Sequence, residues 1–334
     1  MIQNILGKIQ RRLLARQSDF SQATEQDVYY CYRLLLNRQP DEAGWAYWSD
    51  LVNTHHISLQ TLADGFLNSF ELKTLLEERN RLHLVKLADF SIYVRLNDHF
   101  VGATIAREKS YEPYVTEEFR QLLRPGMTFL DVGANIGYFT LLAARLVQES
   151  GHVYAFEPNP GNCVSLRRSL AENGFNHVTV FQNAVAEKAQ TLIFSGGGAD
   201  SNGRIINESE PMAQEFALPR VEAVVLDDVL ADAARIDVIK MDIEGAEPRA
   251  WEGMQQLIAK HRPVLVMEFA PELIRITSGA DPAAFMEAIQ AQYDVYILER
   301  SGQKSATPQN TAAIMAAQAA SGIGHVDVVA YAKK

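Results

Sequence analysis

Cysteine is scarce in this chain: 334 residues contain only Cys31 and Cys163, far apart and without metal-ligand spacing. That excludes a disulfide framework and points to a reducing compartment, the cytoplasm. Long apolar runs are missing too, and none approaches the roughly 18–20 residues that a membrane-spanning helix needs. Positive charge is in deficit, with 31 Lys and Arg against 41 Asp and Glu, a net charge of -10 and a pI near 5.3. Such a balance excludes a protein that tracks the phosphates of nucleic acid. Residues 1–88 carry ten charges of each sign, so the excess acid lies beyond them. What remains, 47% hydrophobic and 22% charged, is the composition of a folded globular protein.

The length allows one large α/β domain with a smaller companion. In residues 1–19, Ile2, Ile5, Leu6, Ile9, Leu13 and Leu14 recur at helical spacing among Lys8, Arg11, Arg12 and Arg16. This amphipathic segment suits docking on the protein itself better than peripheral contact with the inner face of an anionic membrane. Its apolar positions are periodic rather than continuous, unlike a cleaved signal.

Residues 20–86 read as a helical domain. Apolar stripes fall at Val28, Tyr32, Leu35 and Leu36, at Trp45, Trp48, Leu51 and Val52, and at Leu62, Phe66 and Phe70. Asp41 is placed to cap the second helix. The runs Leu35-Leu36-Asn37-Arg38-Gln39-Pro40-Asp41, Gly44, Tyr47-Trp48 and Gly65-Phe66-Leu67-Asn68-Ser69-Phe70-Glu71 resemble an uncharacterised bacterial helical domain. That domain recurs in surface-layer, secreted-repeat and sugar-modifying proteins. Trp45, Tyr47 and Trp48 could stack on a sugar, but aromatics at this spacing are core residues more often.

From residue 87 the pattern changes. Phe90–Leu96 and Phe100–Ile105 flank Asn97-Asp98-His99 and predict a β-hairpin. Beyond it, apolar strand runs at Met127–Leu130, His152–Phe156, Val178–Phe181, Asp237–Met241 and Pro263–Phe269 alternate with helices, as in a doubly wound sheet. Tyr293–Leu298 and His325–Tyr331, with no clear helix between them, read as a closing antiparallel hairpin. Ser195 to Pro219 reads as a flexible insertion, equally a lid or a loop without a role.

The most informative run is Thr128-Phe129-Leu130-Asp131-Val132-Gly133-Ala134-Asn135-Ile136-Gly137-Tyr138-Phe139. An apolar strand ends in an acid, turns through Gly-x-Asn-x-Gly and enters an apolar-periodic helix, the first βα turn of a nucleotide-type fold. Asn tolerates a left-handed turn position, but Tyr138 stands where a dinucleotide site has its third glycine. Glu157 ends the next strand, where it could accept both hydroxyls of a ribose. Asn183 could pair with an adenine edge or merely cap its strand. In Ile239-Lys240-Met241-Asp242-Ile243-Glu244-Gly245-Ala246-Glu247, three carboxylates crowd six positions and call for a cation, a metal or hydrogen-bond donors. Glu244 and Glu247 also fit an ordinary acidic helix start. An acid-rich rim repels a diphosphate and suits the sulfonium and ammonium of S-adenosylmethionine, so the sign of the charge disfavours NAD.

Together with Tyr111-Glu112-Pro113, Phe156-Glu157-Pro158, Asn183-Ala184-Val185, Leu226-Asp227-Asp228 and Met267-Glu268, these runs resemble the FkbM family of S-adenosylmethionine-dependent methyltransferases. The resemblance covers residues 108–332. It implies a Rossmann-like seven-stranded α/β fold, a mostly parallel sheet closed by an antiparallel C-terminal hairpin. It also implies methyl transfer to a hydroxyl of a polyketide-type molecule or of a bacterial glycan. Candidate donor-binding residues are Glu112, Asp131, Gly133, Asn135, Gly137, Glu157, Asn183 and Asp242. Candidate bases are Asp242, Glu244 and Glu268, since an alcohol is a poor nucleophile while protonated. A divalent cation bridging Asp242, Glu244 and the acceptor is compatible with this cluster. The expected acceptor is a hydroxyl-bearing saccharide or glycan-linked molecule, with a polyketide-type metabolite as the alternative. Methylation of planar nitrogen is disfavoured because no Asn/Asp-Pro-Pro-aromatic motif follows the central strand. A non-catalytic scaffold is disfavoured by intact Asp131, Glu157 and Asp242.

Overall fold

The computed structural model describes residues 21–196 and 201–334, so the amphipathic segment at residues 1–19 lies outside the described residues. The chain divides into two compact units, Met1–Arg81 and Leu82–Lys334.

In the smaller unit, helices span Glu25–Leu35, Glu42–Asn53, Leu59–Leu67 and Phe70–Arg79. Thr24, Asp41, Ser58 and Ser69 each accept a backbone N–H of the first turn, which terminates the chain's extended entry and starts each helix. Val28, Tyr32, Leu62 and Phe66 are buried between the helices. Trp48 stacks on Phe66 with ring centroids 5.0 Å apart, and Trp45 packs on the same core. Tyr47 is exposed. Phe70, assigned to a buried stripe by its spacing, is 85% exposed. It is the first residue after the Ser69 cap, and Leu72 takes the core position instead.

The larger unit opens with a hairpin, β1 (Leu82–Lys86) against β2 (Ser91–Arg95). β1 precedes the boundary expected at residue 87. The strand expected at Phe100–Ile105 is a helix, Gly102–Glu108. Asp98 is the cause: its carboxylate accepts N–H from Val101 and Gly102 at 3.2 and 3.1 Å, and its carbonyl accepts from Ala103. A carboxylate satisfying the first orphan donors commits the backbone to a helix.

The remaining strands are β3 (Thr128–Val132), β4 (His152–Phe156), β5 (Val178–Phe181), β6 (Ala184–Val185), β7 (Gln190–Phe194), β8 (Ile205–Ile206), β9 (Arg220–Val224), β10 (Val238–Met241), β11 (Val264–Phe269), β12 (Tyr293–Leu298) and β13 (Val326–Ala332). Seven of them form one sheet in the order β12-β13-β11-β10-β3-β4-β5. β13 runs antiparallel to both neighbours, while the pairs among β11, β10, β3, β4 and β5 are parallel. The expected mostly parallel sheet is therefore present. Its last strand inserts between β11 and β12, and a helix, Thr311–Ser321, fills the gap that looked helix-poor. That helix is largely alanine and buries only Ile314 fully, so its apolar stripe is weak.

Both faces of the sheet are covered, because successive side chains of a strand point to opposite faces. Leu130, Val132, Ile239 and Met241 join one core, and Phe129, Leu141, Leu142 and Phe119 the other. Strand order reverses between β3 and β10, which pair in parallel with Asp131 opposite Lys240. A crevice opens at such a reversal, outside the carboxyl ends of the strands.

The expected insertion contains regular structure. β8 and the short helix Pro211–Glu215 lie within it, and β6, β9, β7 and β8 make a second sheet. Ile193, Phe194, Ile205 and Ile206 are buried in it. Among the described residues, no helix is long and apolar enough to cross a membrane.

Candidate active site

A cavity of about 510 Å³ opens over the C-terminal ends of β3, β4, β10 and β11. Its floor is the turn after β3. Gly133, Asn135 and Gly137 all adopt left-handed backbone, with φ of 86°, 51° and 96°. Asn therefore fills the position for which its tolerance of that region suits it. Gly133 lines the cavity, and a Cβ built on it would lie 1.9 Å from the Asp242 carbonyl oxygen. Gly137 does not line the cavity; its missing side chain lets Leu166 close against the helix start.

Glu157 follows β4 and is 5% exposed. Its Oε2 accepts the Asn135 N–H at 2.8 Å and its Oε1 accepts the Asn159 N–H at 2.7 Å. Burial nevertheless pushes its pKa up to about 7. The carboxylate thus joins the Gly-x-Asn-x-Gly turn to the end of β4 and still borders the cavity.

Asp131 lies elsewhere than expected for a residue touching a donor. It is fully buried beneath the floor, outside the cavity lining. Its Oδ2 accepts the Thr140 hydroxyl at 2.5 Å, and its Oδ1 lies 4.0 Å from the Lys240 ammonium without a hydrogen-bond donor. Lys240 is 5% exposed and donates to Asp242 Oδ2 at 3.1 Å and to the Gly133 carbonyl at 3.4 Å. Burial alone would lower the Lys240 pKa, but Asp242, Asp131 and Glu112 outweigh it and hold the group above its ordinary range. A protonated lysine therefore stands under the turn. Its position was visible in the sequence as a lone cation within Ile239-Lys240-Met241, between two apolar neighbours.

Asp242, Glu244, Glu268 and Glu112 converge on the cavity with Glu157 and Asn183. Glu244 sits in left-handed backbone at φ 55°, and burial, then Asp242, push its pKa up to about 7. Burial followed by Asp242 and Asp327 raises Glu112, which also holds left-handed backbone at the start of the helix Pro113–Leu122. Glu268 is raised by burial and by Asp242 and Glu244. Asn183 lines the cavity while its amide donates to the Glu222 carbonyl at 3.2 Å, which supports the capping role. Glu247 is 1% exposed and accepts the Ile243 N–H at 2.9 Å, closing the turn after β10 rather than entering the cavity. Asp227 caps another helix, accepting N–H from Gln256 and Leu257.

One feature was left open by sequence reasoning between a lid and a loop, and another escaped it. Ser201 to Ile205 form a wall of the cavity, tied down by Asn135 Nδ2 to Asn202 Oδ1 at 3.0 Å and Asn162 Nδ2 to the Ser201 carbonyl at 2.8 Å. His325, at the start of β13, also faces the cavity, with Nδ1 3.3 Å from Glu268 Oε2. Among the described residues, no group of three or more His, Cys, Asp or Glu is arranged to hold a metal ion.

The family model for the methyltransferase FkbM domain matches residues 131–293, the stretch that supplies most of this cavity. Residues 131–293 of the larger unit are thus similar to FkbM methyltransferase domains. A model for a domain of unknown function, DUF4214, matches residues 15–76 of the helical unit. A third, for protein-L-isoaspartate(D-aspartate) O-methyltransferase, matches residues 63–185. A curated relative, 31-O-demethyl-FK506 methyltransferase FkbM of Streptomyces tacrolimicus, is 29% identical over 163 residues, 40% of this chain. The match spans 61% of that relative's length. A crystal structure of methyltransferase FkbM from Methylobacillus flagellatus KT is 17% identical, with 87% of this chain and 72% of that one covered and a TM-score of 0.38. A methyltransferase structure from Aquifex aeolicus is 16% identical over 70% of this chain and 94% of its own, with a TM-score of 0.37.

Proposed function

We propose that the larger unit transfers a methyl group from S-adenosylmethionine to a hydroxyl oxygen. The observation that carries this reading is the carboxylate-lined cavity over the glycine turn at the reversal of strand order. The residues present fit the donor: the missing Gly133 Cβ leaves a cradle, Glu157 borders it for a ribose, and Asp242, Glu244, Glu112 and Glu268 supply negative charge for a cationic ligand. When bound, the donor's sulfonium supplies an already electrophilic methyl group. The protein's own task is then to hold an acceptor oxygen in line at about 3 Å, which can contribute on the order of 7 kcal/mol. The wall Ser201 to Ile205 borders the cavity on one side.

A hydroxyl acceptor is supported by the name of the curated relative, a 31-O-demethyl-FK506 methyltransferase. A saccharide acceptor is supported by the resemblance of the helical unit to domains of sugar-modifying proteins. A cytoplasmic site of action fits Cys31 and Cys163, which are both free. Calorimetry with S-adenosylhomocysteine and NAD side by side tests the donor: binding of the first alone is expected, and binding of NAD alone overturns the reading. Mass spectrometry of host surface glycans with and without the protein, beside an assay on 31-O-demethyl-FK506, separates the two acceptor classes.

A further inference from the structure

We propose that His325 accepts the proton of the acceptor hydroxyl and that Glu268 positions its ring. This rests on the methyl-transfer reading and adds to it the group that receives the proton. A second cavity, about 210 Å³, lies beside the first, walled by Tyr114, Ile297, Leu298 and Val326. Ile323 and His325 line both cavities, so the imidazole stands where the two compartments meet. A base in that place faces the donor cavity on one side and, on the other, a largely apolar chamber for the acceptor's body, with Glu299, Arg300 and Asp327 also in its lining. Among the described residues, no other histidine lines the first cavity.

The ring is held from one side. Its Nδ1 lies 3.3 Å from Glu268 Oε2, and strands β11 and β13 fix that approach by pairing Glu268 opposite Asp327. Asp327 is itself engaged by the Tyr114 hydroxyl at 2.8 Å. Nδ1 faces the Glu268 carboxyl oxygen Oε2, which leaves Nε2 for a substrate. The acids first considered as bases are less free: Asp242 is paired with Lys240 at 3.1 Å, and Glu244 faces the positive charge of Arg204. Burial lowers the His325 pKa, Asp242 raises it and Arg300 lowers it, with burial prevailing, so the ring is neutral near neutral pH. Glu244, Asp327 and Glu247 face Glu268 in turn.

In the step itself, a lone pair of the hydroxyl oxygen forms the new C–O bond as the S–C bond breaks with its electron pair left on sulfur. The O–H pair returns to oxygen, and the proton passes to Nε2 and from there to water. The His325 side chain keeps 27% of its surface exposed, enough for that release.

The test uses full-length protein labelled with ¹⁵N-histidine and saturated with S-adenosylmethionine, with His325→Gln assigning the resonance. The expected spectrum has a bare, pyridine-type Nε2 and a protonated Nδ1, and Glu268→Gln disturbs that tautomer. A protonated Nε2, or a tautomer indifferent to Glu268→Gln, overturns the proposal. In crystals with S-adenosylhomocysteine, Nε2 should lie within roughly 7 Å of sulfur, room for the methyl, the oxygen and one hydrogen bond. S-adenosylhomocysteine bound with the ring turned away overturns this inference alone. Absence of S-adenosylhomocysteine binding in calorimetry overturns the methyl-transfer reading and takes this one with it.

Discussion

Gly133 and Asp242 meet backbone to backbone: a Cβ on the glycine would sit 1.9 Å from the aspartate's carbonyl oxygen. The contact seals β3 against β10 where the strand order reverses, and it needs φ of 86° at Gly133. Alanine there meets two penalties, a left-handed conformation costing about 1–2 kcal/mol and a collision that only backbone movement relieves. Gly133→Ala should weaken S-adenosylhomocysteine binding at least about tenfold, roughly 1.4 kcal/mol, and lower the melting temperature. Calorimetry and thermal unfolding check it; unchanged affinity removes the turn from the donor site.

Lys240 balances Asp131 and Asp242 from within the fold. Lys240→Met keeps the volume and removes the charge, leaving Asp131 buried beside Thr140 alone. Breaking a buried pair by removing one partner costs about 3 kcal/mol or more. Without the cation Asp131, already raised by burial, titrates still higher, so its ionisation opposes folding more as pH rises. The stability deficit of the variant should therefore be larger at pH 8 than at pH 5.5, measured by urea unfolding at both.

Asn202 fastens the wall that closes over the glycine turn, through its 3.0 Å bond with Asn135. A neutral hydrogen bond is worth about 1 kcal/mol, so Asn202→Ala should speed release of bound donor roughly fivefold with little change in melting temperature. Stopped-flow measurement of S-adenosylhomocysteine dissociation decides it. An unchanged rate means that the segment does not retain the donor.

Strand runs of continuous apolar residues made the sheet legible, because buried parallel strands carry their own signal. The glycine turn was equally legible, since its glycines and asparagine mark left-handed backbone, which most residues avoid. Phe100–Ile105 misled because its alternation is real, and only the Asp98 carboxylate chooses helix over strand there. The helix Thr311–Ser321 was hidden by alanine, which propagates a helix without marking a buried face. Asp131 was recognised by motif, but its burial under the turn depends on Thr140 and Lys240, partners supplied by another helix and strand. His325 could not be singled out, because its neighbour Glu268 reaches it only through the register of β11 with β13.

The crowded carboxylates predict that donor binding releases protons. Glu157 and Glu244 have pKa values of about 7 in the donor-free protein, each raised first by burial. A cation entering the cavity favours their ionised forms and so lowers those values. Affinity for S-adenosylmethionine should accordingly rise between pH 6 and pH 8, by up to about tenfold per pH unit for each proton released. Stability of the donor-free protein runs the other way. A carboxyl whose folded pKa is raised adds stability below its unfolded value, near 4.5, and loses it as pH climbs through about 7. The donor-free protein should therefore melt lower at pH 8 than at pH 6, and saturating S-adenosylmethionine should narrow that difference. Titrations in buffers of different ionisation enthalpy count the protons directly. Heats that do not depend on the buffer, with an affinity flat across this range, would mean that these carboxyls are already ionised before the donor arrives.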